Sequence, residues 1–103
     1  MKYIIYAWRI DKMTQDVSER ENSMVTVDNT SLAMKIAVTV TEWMSEGEFG
    51  VVAVMHGEDV VTTVIELEGQ YSIDGDTYVN WRDVDDEIYY RIGEYASEKG
   101  MEQ

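Results

Sequence analysis

Residues 80–100 read NWRDVDDEIYYRIGEYASEKG, and they carry the strongest secondary-structure signal in the chain. Apolar residues recur here at intervals of three and four positions, as they do along one face of an α-helix: Trp81, Val84, Ile88, Ile92, Tyr95 and Ala96. Asn80 has the side chain of an N-cap, Asp83 stands at the third helical position, and Gly100 can terminate the helix. The sequence therefore predicts a helix over residues 81–99.

A second helix is predicted over residues 31–46. Residue types that favour N-caps fill positions 28–31, and Gly47 follows as a stop signal. Between them, apolar residues recur at helical spacing: Leu32, Ala33, Ile36, Ala37, Val40, Trp43 and Met44. The β-branched residues at positions 38–41 have a lower helix propensity, which weakens the prediction of a helix there.

Strand patterns account for most of the remaining chain. Residues 2–10 carry apolar side chains on both faces, which is typical of a central strand, and a connection over 11–23 leads to a short strand over 24–27. Three further strands are predicted over the following ranges, with turns at 56–59 and 69–70: residues 50–55, 59–68 and 71–79. Strict alternation in the second of these places the even-numbered residues Val60, Thr62, Val64, Glu66 and Glu68 on one face and the odd-numbered residues Val61, Thr63, Ile65 and Leu67 on the other. Within the third of these strands, Ile73-Asp74-Gly75-Asp76 favours a tight turn or a bulge.

These elements predict an α+β fold. We expect a small antiparallel sheet of about four to five strands with two helices packed on it, in the order β(β)αβββα. The chain has 103 residues, so it fits a single domain that spans residues 1–103 and buries one modest core.

The net charge is the unusual property of this sequence. With 21 acidic and 8 basic residues the chain carries −13 at pH 7, beyond the magnitude of about 2–8 that suits a small soluble domain. Such a charge disfavours direct binding to nucleic acid or to an anionic membrane, because both are negatively charged. The chain also lacks cysteine and a recognisable signal sequence, so we expect a cytoplasmic protein, located in the host cytoplasm if a phage encodes it.

The acidic residues are unevenly distributed. No Lys or Arg occurs between Lys35 and Arg82, whereas nine acidic residues lie in that span. In the predicted last helix, four acids fall on one stripe beside the apolar face. We therefore predict a partner-binding acidic surface formed by Asp83, Glu87, Glu94, Glu98, Glu66, Glu68, Asp74 and Asp76. The alternatives are a merely solvated face, in which Arg91 pairs with neighbouring acids, and adaptation to a saline environment.

Residues suited to catalysis or metal binding are few. His56 is the only histidine, and beside Glu58 and Asp59 it is better explained as an exposed turn residue than as a general base. The acids between Asp74 and Glu87 depart from the EF-hand spacing, and acids in a first helical turn are explained by the helix dipole. We therefore expect no catalytic residue, no metal site and no cofactor.

These features favour a non-catalytic binding protein over an enzyme. The main hypothesis is a nucleic-acid mimic, an acidic domain that occupies the basic groove of a DNA- or RNA-binding protein. In size and charge alone, the chain resembles small acidic inhibitors with which phages and mobile elements block host nucleases, restriction enzymes or CRISPR effectors. The alternative is a protein-interaction or homodimerisation module that uses an apolar sheet face containing Tyr3, Ile5, Val60 and Val64.

Overall fold

A computed structural model describes residues 2–10, 21–43, 49–67 and 70–100 of the chain. These residues form a six-stranded antiparallel sheet with two helices packed on it, in the order ββαββββα, which confirms the predicted α+β class. The elements are β1 Tyr3–Ile10, β2 Glu21–Val27, α1 Thr30–Trp43, β3 Phe49–His56, β4 Asp59–Leu67, β5 Gln70–Ile73, β6 Asp76–Tyr78 and α2 Trp81–Glu98.

The strands lie in the order β2-β1-β3-β4-β5-β6. β1 pairs with β2 on one side and with β3 on the other, so its predicted position as an internal strand is confirmed. The connection between β2 and β3 is α1, which packs across β1 and β3. Residues 11–20 of the predicted first connection lie outside the described residues, whereas residues 21–23 belong to β2.

The sheet has six strands because the last predicted strand is a hairpin. Asp74 and Gly75 both have positive φ angles, +50° and +96°, as a two-residue type I′ turn requires. The turn divides residues 71–79 into parts of β5 and β6, and it confirms the predicted tight turn. The β3–β4 turn at Gly57 and Glu58 is likewise where the sequence predicts it, whereas the predicted turn residue Gln70 begins β5.

Both helices begin at asparagine caps. The Oδ1 atom of Asn29 accepts a hydrogen bond from Leu32 N at 2.7 Å, and the Oδ1 atom of Asn80 accepts one from Arg82 N at 2.9 Å. Gly100 follows α2 with a φ of +68° and donates its N–H to Ser97 O. The predicted caps are thus confirmed, whereas the predicted end of α1 at residues 46–47 lies outside the described part of the chain.

The core lies between one face of the sheet and the two helices. α1 packs on β1 and β3, α2 packs on β4, β5 and β6, and the helices contact each other. The apolar stripe of α2 is confirmed, with Val84, Ile88, Ile92 and Ala96 completely buried. Each of the larger aliphatic side chains contributes about 1.5–3 kcal/mol by leaving water. Neither helix is long and apolar enough, within the described residues, to cross a membrane.

A β-bulge decides which residues of β4 face the helices. Opposite Met55 the register shifts, so that Val60 pairs with Met55 while Val61 is the extra residue. From Thr62 onward the predicted alternation holds, but Val60 is 61% exposed and lies on the face opposite to Val64. The strict alternation predicted for residues 59–68 is therefore wrong at its first two apolar positions.

The sequence-based prediction of an apolar sheet face available to a partner names residues on the wrong side of the sheet. Tyr3, Ile5 and Val64 are buried beneath the helices, so they are not available to a partner. Antiparallel sheets usually alternate apolar inward and polar outward, but here both faces of β1 are apolar. Sequence alone therefore does not distinguish the covered face from the open one.

The hairpin turn gives a direct test of the sixth strand. Replacing Gly75 with alanine should lower the free energy of unfolding by about 1 kcal/mol, because a Cβ atom is strained at a φ of +96°. No atom lies within 4 Å of the added Cβ position, so the cost is one of backbone conformation and not of crowding. Urea denaturation of Gly75→Ala measures it. Gly75→Asn is the control and should lose less stability, since asparagine tolerates positive φ.

Candidate functional site

The side chain of Arg91 joins α2 to the β5–β6 hairpin. Its Nη1 atom lies 2.9 Å from Asp74 Oδ2, its Nη2 atom lies 2.9 Å from Asp76 Oδ2, and its Nε atom lies 2.8 Å from Glu87 Oε1. One guanidinium thus uses its fork of donors on three carboxylates. The contact holds acids from two distant segments of the sequence against one edge of the molecule.

Asp74 also connects the hairpin to β4. Its Oδ1 atom accepts a hydrogen bond from the Thr63 N–H, and its Oδ2 atom accepts one from the Thr62 hydroxyl, both at 2.9 Å. Its own N–H donates to Thr63 O. Asp74 is therefore largely occupied by contacts within the protein, whereas Asp76 keeps most of its side chain in water.

The carboxylates hold Arg91 in its charged form. Partial burial by itself lowers the pKa of Arg91, but hydrogen bonds to Asp76 and to the neighbouring acceptors outweigh it and raise the pKa above its ordinary value. The guanidinium neutralises one of the three contacting charges. The cluster therefore remains net negative.

The predicted acidic stripe lies along α2 beside this cluster. Asp83, Glu94 and Glu98 are exposed, and Glu87 is partly covered by Arg91. The Oε1 atom of Glu94 accepts a hydrogen bond from the Tyr90 hydroxyl at 2.9 Å. This contact is the main reason that the pKa of Tyr90 is raised, with the negative charge of Glu94 second.

Six of the eight predicted partner-binding residues lie together, and we name them the acidic edge: Asp74, Asp76, Asp83, Glu87, Glu94 and Glu98. Glu66 does not belong to it. Its side chain is 0% exposed, because its position in β4 points beneath the helices. Glu68 lies outside the described residues.

Tyr90 lies beside the acidic edge, and it is not among the partner-binding residues predicted from the sequence. It is 60% exposed, and it lies on the same side of α2 as Glu94 and Glu87. Exposed tyrosine is enriched at protein interfaces. Its position outside the apolar stripe Val84/Ile88/Ile92 is the signal that identifies it.

His56 belongs to a second cluster, at the end of the sheet. Its Nδ1 atom lies 2.9 Å from the Tyr95 hydroxyl, which donates to Asp59 Oδ2 at 2.8 Å. The Nδ1 atom therefore acts as the donor toward Tyr95. The ring of His56 also packs on Tyr3, with centroids 4.7 Å apart. The interpretation of His56 as a freely exposed turn residue is thus wrong, because it is partly buried and hydrogen-bonded to α2.

This cluster fastens the β3–β4 turn to the end of α2. Burial, followed by the hydrogen bond to Asp59, raises the pKa of Tyr95 to about 12. The same hydrogen bond, assisted by Lys99 with its Nζ atom 3.5 Å from Asp59 Oδ2, lowers the pKa of Asp59. Tyr95 therefore retains its proton at neutral pH, which suits a structural link better than a catalytic base.

The residues that the structure describes contain no candidate metal site. No group of three or more His, Cys, Asp or Glu side chains is arranged to hold an ion there. Three acids of the acidic edge, Asp74, Asp76 and Glu87, surround a guanidinium instead.

Comparisons with protein families, with curated proteins and with solved structures find no match to this chain. The fold and the net charge of −13 define the molecule as a small acidic α+β protein.

The Arg91 cluster predicts a stability effect that is specific to its position. Arg91→Leu should lower the free energy of unfolding by about 2 kcal/mol, because three carboxylates then face one another without their shared cation. Arg82→Leu is the matched control, since it removes one positive charge from the same helix at an exposed position. Urea unfolding of the two variants should differ clearly, and equal losses would show that Arg91 acts only through total charge.

Tyr95 predicts an effect of alkaline pH. Because its pKa is raised from 10.0 to about 12 on folding, its stabilising contribution is fully present below pH 10 and is lost as the pH rises through 12. In a spectrophotometric titration, the difference between wild type and Tyr95→Phe should show no tyrosine ionising near pH 10. Tyr89→Phe, an exposed tyrosine of the same helix, is the control. A Tyr95 difference signal centred at pH 10 would contradict the hydrogen bond to Asp59.

Proposed function

We propose that this protein is a non-catalytic acidic binding protein that occupies the basic nucleic-acid-binding surface of another protein. The acidic edge carries this proposal, because Arg91 brings hairpin and helix carboxylates onto one surface. A partner that binds nucleic acid presents Lys and Arg side chains, and it meets here the same sign of charge that it meets on phosphates.

The arrangement of the acids supports mimicry of a phosphate backbone. Asp83 and Glu87 are separated by about 6 Å along the helix axis, as are Glu94 and Glu98, and about 10 Å separates the two pairs, so the four charges form a linear series along one stripe of α2. Asp83/Glu87 and Glu94/Glu98 are like-charge pairs that each cost the isolated helix about 0.2–0.5 kcal/mol. Glu94 and Glu98 also stand near the C-terminus of α2, where the helix dipole disfavours negative charge. Binding to a basic partner would offset these local costs.

The long-range field favours the same kind of partner. A net charge of −13 steers a basic protein toward the molecule and repels nucleic acid and other acidic surfaces. Arg91 holds the hairpin carboxylates in place before binding, so less conformational entropy is lost on association. Steering and preorganisation together suit an inhibitor that competes with DNA or RNA, as phage and mobile-element inhibitors of nucleases, restriction enzymes and CRISPR effectors do.

Charge reversal on α2 tests the proposal. The double variant Glu94→Lys/Glu98→Lys should weaken binding to a basic partner by about tenfold or more, equivalent to about 1.4 kcal/mol. The helix itself should be unharmed, since lysine near a helix C-terminus is favoured by the dipole. The tagged protein is used to capture partners from a bacterial lysate, with elution by increasing salt and by added DNA, and the affinity of a recovered partner is then measured.

The control keeps total charge constant. Asp28→Lys/Glu42→Lys reverses two exposed acids near the two ends of α1, which packs on β1 and β3 and not beside the hairpin, so both double variants change the net charge by the same amount. The control should retain the partner. If the two variants bind equally, or if DNA does not displace the captured protein, the acidic edge is not the binding surface.

A further inference from the structure

The sheet face opposite the helices is mainly apolar on β1, β3 and β4, and it becomes polar on β5 and β6, where Gln70, Ser72 and Thr77 lie. No described helix packs on it, and its strand positions are those that alternate with the buried residues in the register of the sheet. We name it the open face. Its apolar members on the neighbouring strands β1, β3 and β4 include Ile4, Tyr6, Trp8, Val51, Met55 and Ile65.

Several of these side chains remain in contact with water. Ile65 is 37% exposed, Val60 beside it on β4 is 61% exposed, and Met24 on β2 is also exposed. The rings of Tyr6 and Trp8 stack with centroids 5.6 Å apart and planes inclined by 10°, which forms a flat aromatic platform on β1. A contiguous apolar surface of this kind is typical of an interaction site.

Charge is segregated between the two faces of the sheet. Among strand positions whose side chains the structure describes, the open face carries no Asp or Glu. The acidic strand residues all point to the side of the helices: Asp59 bonds Tyr95 of α2, Asp76 bonds Arg91 of α2, and Glu66 is buried. In a chain of net charge −13, the sheet face without a described carboxylate is thus the one over which no described helix lies.

We infer that the open face binds the open face of a second copy of this chain. Two identical copies repel each other strongly through any acidic surface, and the open face is where they can approach without facing carboxylates. Sheets that pack face to face lie about 10 Å apart, so the helix-side acids of the two copies are separated by more than the screening length of about 8 Å at physiological salt. Two-fold symmetric pairing of one surface with itself is the commonest way for copies to associate.

The dimensions of the open face fit such a dimer. Four strands spaced by about 4.8 Å and about eight residues long span about 19 by 26 Å, a flat footprint of about 500 Å². Two copies together then bury about 1,000 Å², without counting the additional area of the uneven side-chain surface. Specific interfaces begin at about this size. A basic partner is drawn to the acidic edge instead, because the open face offers it no carboxylates.

Sedimentation equilibrium of the full chain tests the inference. The wild type should have twice the chain mass of 11.9 kDa, and raising the salt concentration should maintain or strengthen the dimer because it screens repulsion. Ile65→Lys should weaken dimerisation by about a hundredfold or more, since it places a charge in an apolar contact. The loss is expected although the lysine reduces the net negative charge.

Leu32→Lys is the matched control. Leu32 is 42% exposed on α1, on the other side of the molecule. The substitution therefore replaces an aliphatic side chain of similar exposure with lysine, and it should leave the dimer intact. If circular dichroism shows that Ile65→Lys is unfolded, Val60→Lys tests the same face from a more exposed position. A wild type that sediments as a single chain overturns the inference, as does a dimer that withstands the folded open-face variants. Neither result would contradict the proposed binding of a basic partner at the acidic edge, because that proposal is tested separately by salt-sensitive binding to a basic protein.

Discussion

Both helices pack on the same face of the sheet, and this asymmetry determines where charges and apolar side chains lie. The helices bury the apolar positions of β1, β3, β4 and β5 that face them, and they form the core together with the stripe Val84/Ile88/Ile92. The acids of α2 are consequently directed outward and toward the edge of the sheet. On β1, β3 and β4 the opposite face carries mainly aromatic and aliphatic residues, whereas a solvated sheet face is usually polar.

Arg91 brings acids from the hairpin and from α2 together on one surface. The hairpin at Asp74-Gly75 turns back at the edge strand β6, and α2 passes beside it with Arg91 directed toward the turn. Without a shared cation, Asp74, Asp76 and Glu87 would repel one another. With it, they stay close while the cluster remains net negative, so stability and binding charge are provided by the same contact. The Arg91–Glu87 pair is the one that the solvated-face alternative expects, so the proposal of a binding surface rests on the negative charge that a single guanidinium leaves on three carboxylates.

The elements that depend on local pattern could be predicted from the sequence. The stripe of α2, the asparagine caps and the Asp74-Gly75 turn each follow from side-chain spacing or from backbone preference. What could not be predicted depends on contacts between distant residues. The bulge at Val60 reverses the face of that residue, and the packing of the helices buries the face of β4 that carries Glu66. The hydrogen bond to Tyr95 holds His56 against α2. Most of the acidic stripe could be predicted because helical periodicity determines it, whereas its union with the hairpin needed Arg91.

Zero-length carbodiimide cross-linking of the complex can show whether a partner contacts the acidic edge, because this reagent couples a carboxylate to a lysine only where the two touch. Mapped by mass spectrometry, the cross-links should join partner lysines to Asp83, Glu94 and Glu98, and Glu66 should yield none because it is buried. Cross-links concentrated at Asp28 and Glu42, or spread evenly over the exposed acids, would show that the partner does not bind the acidic edge and that the acidity serves only solvation.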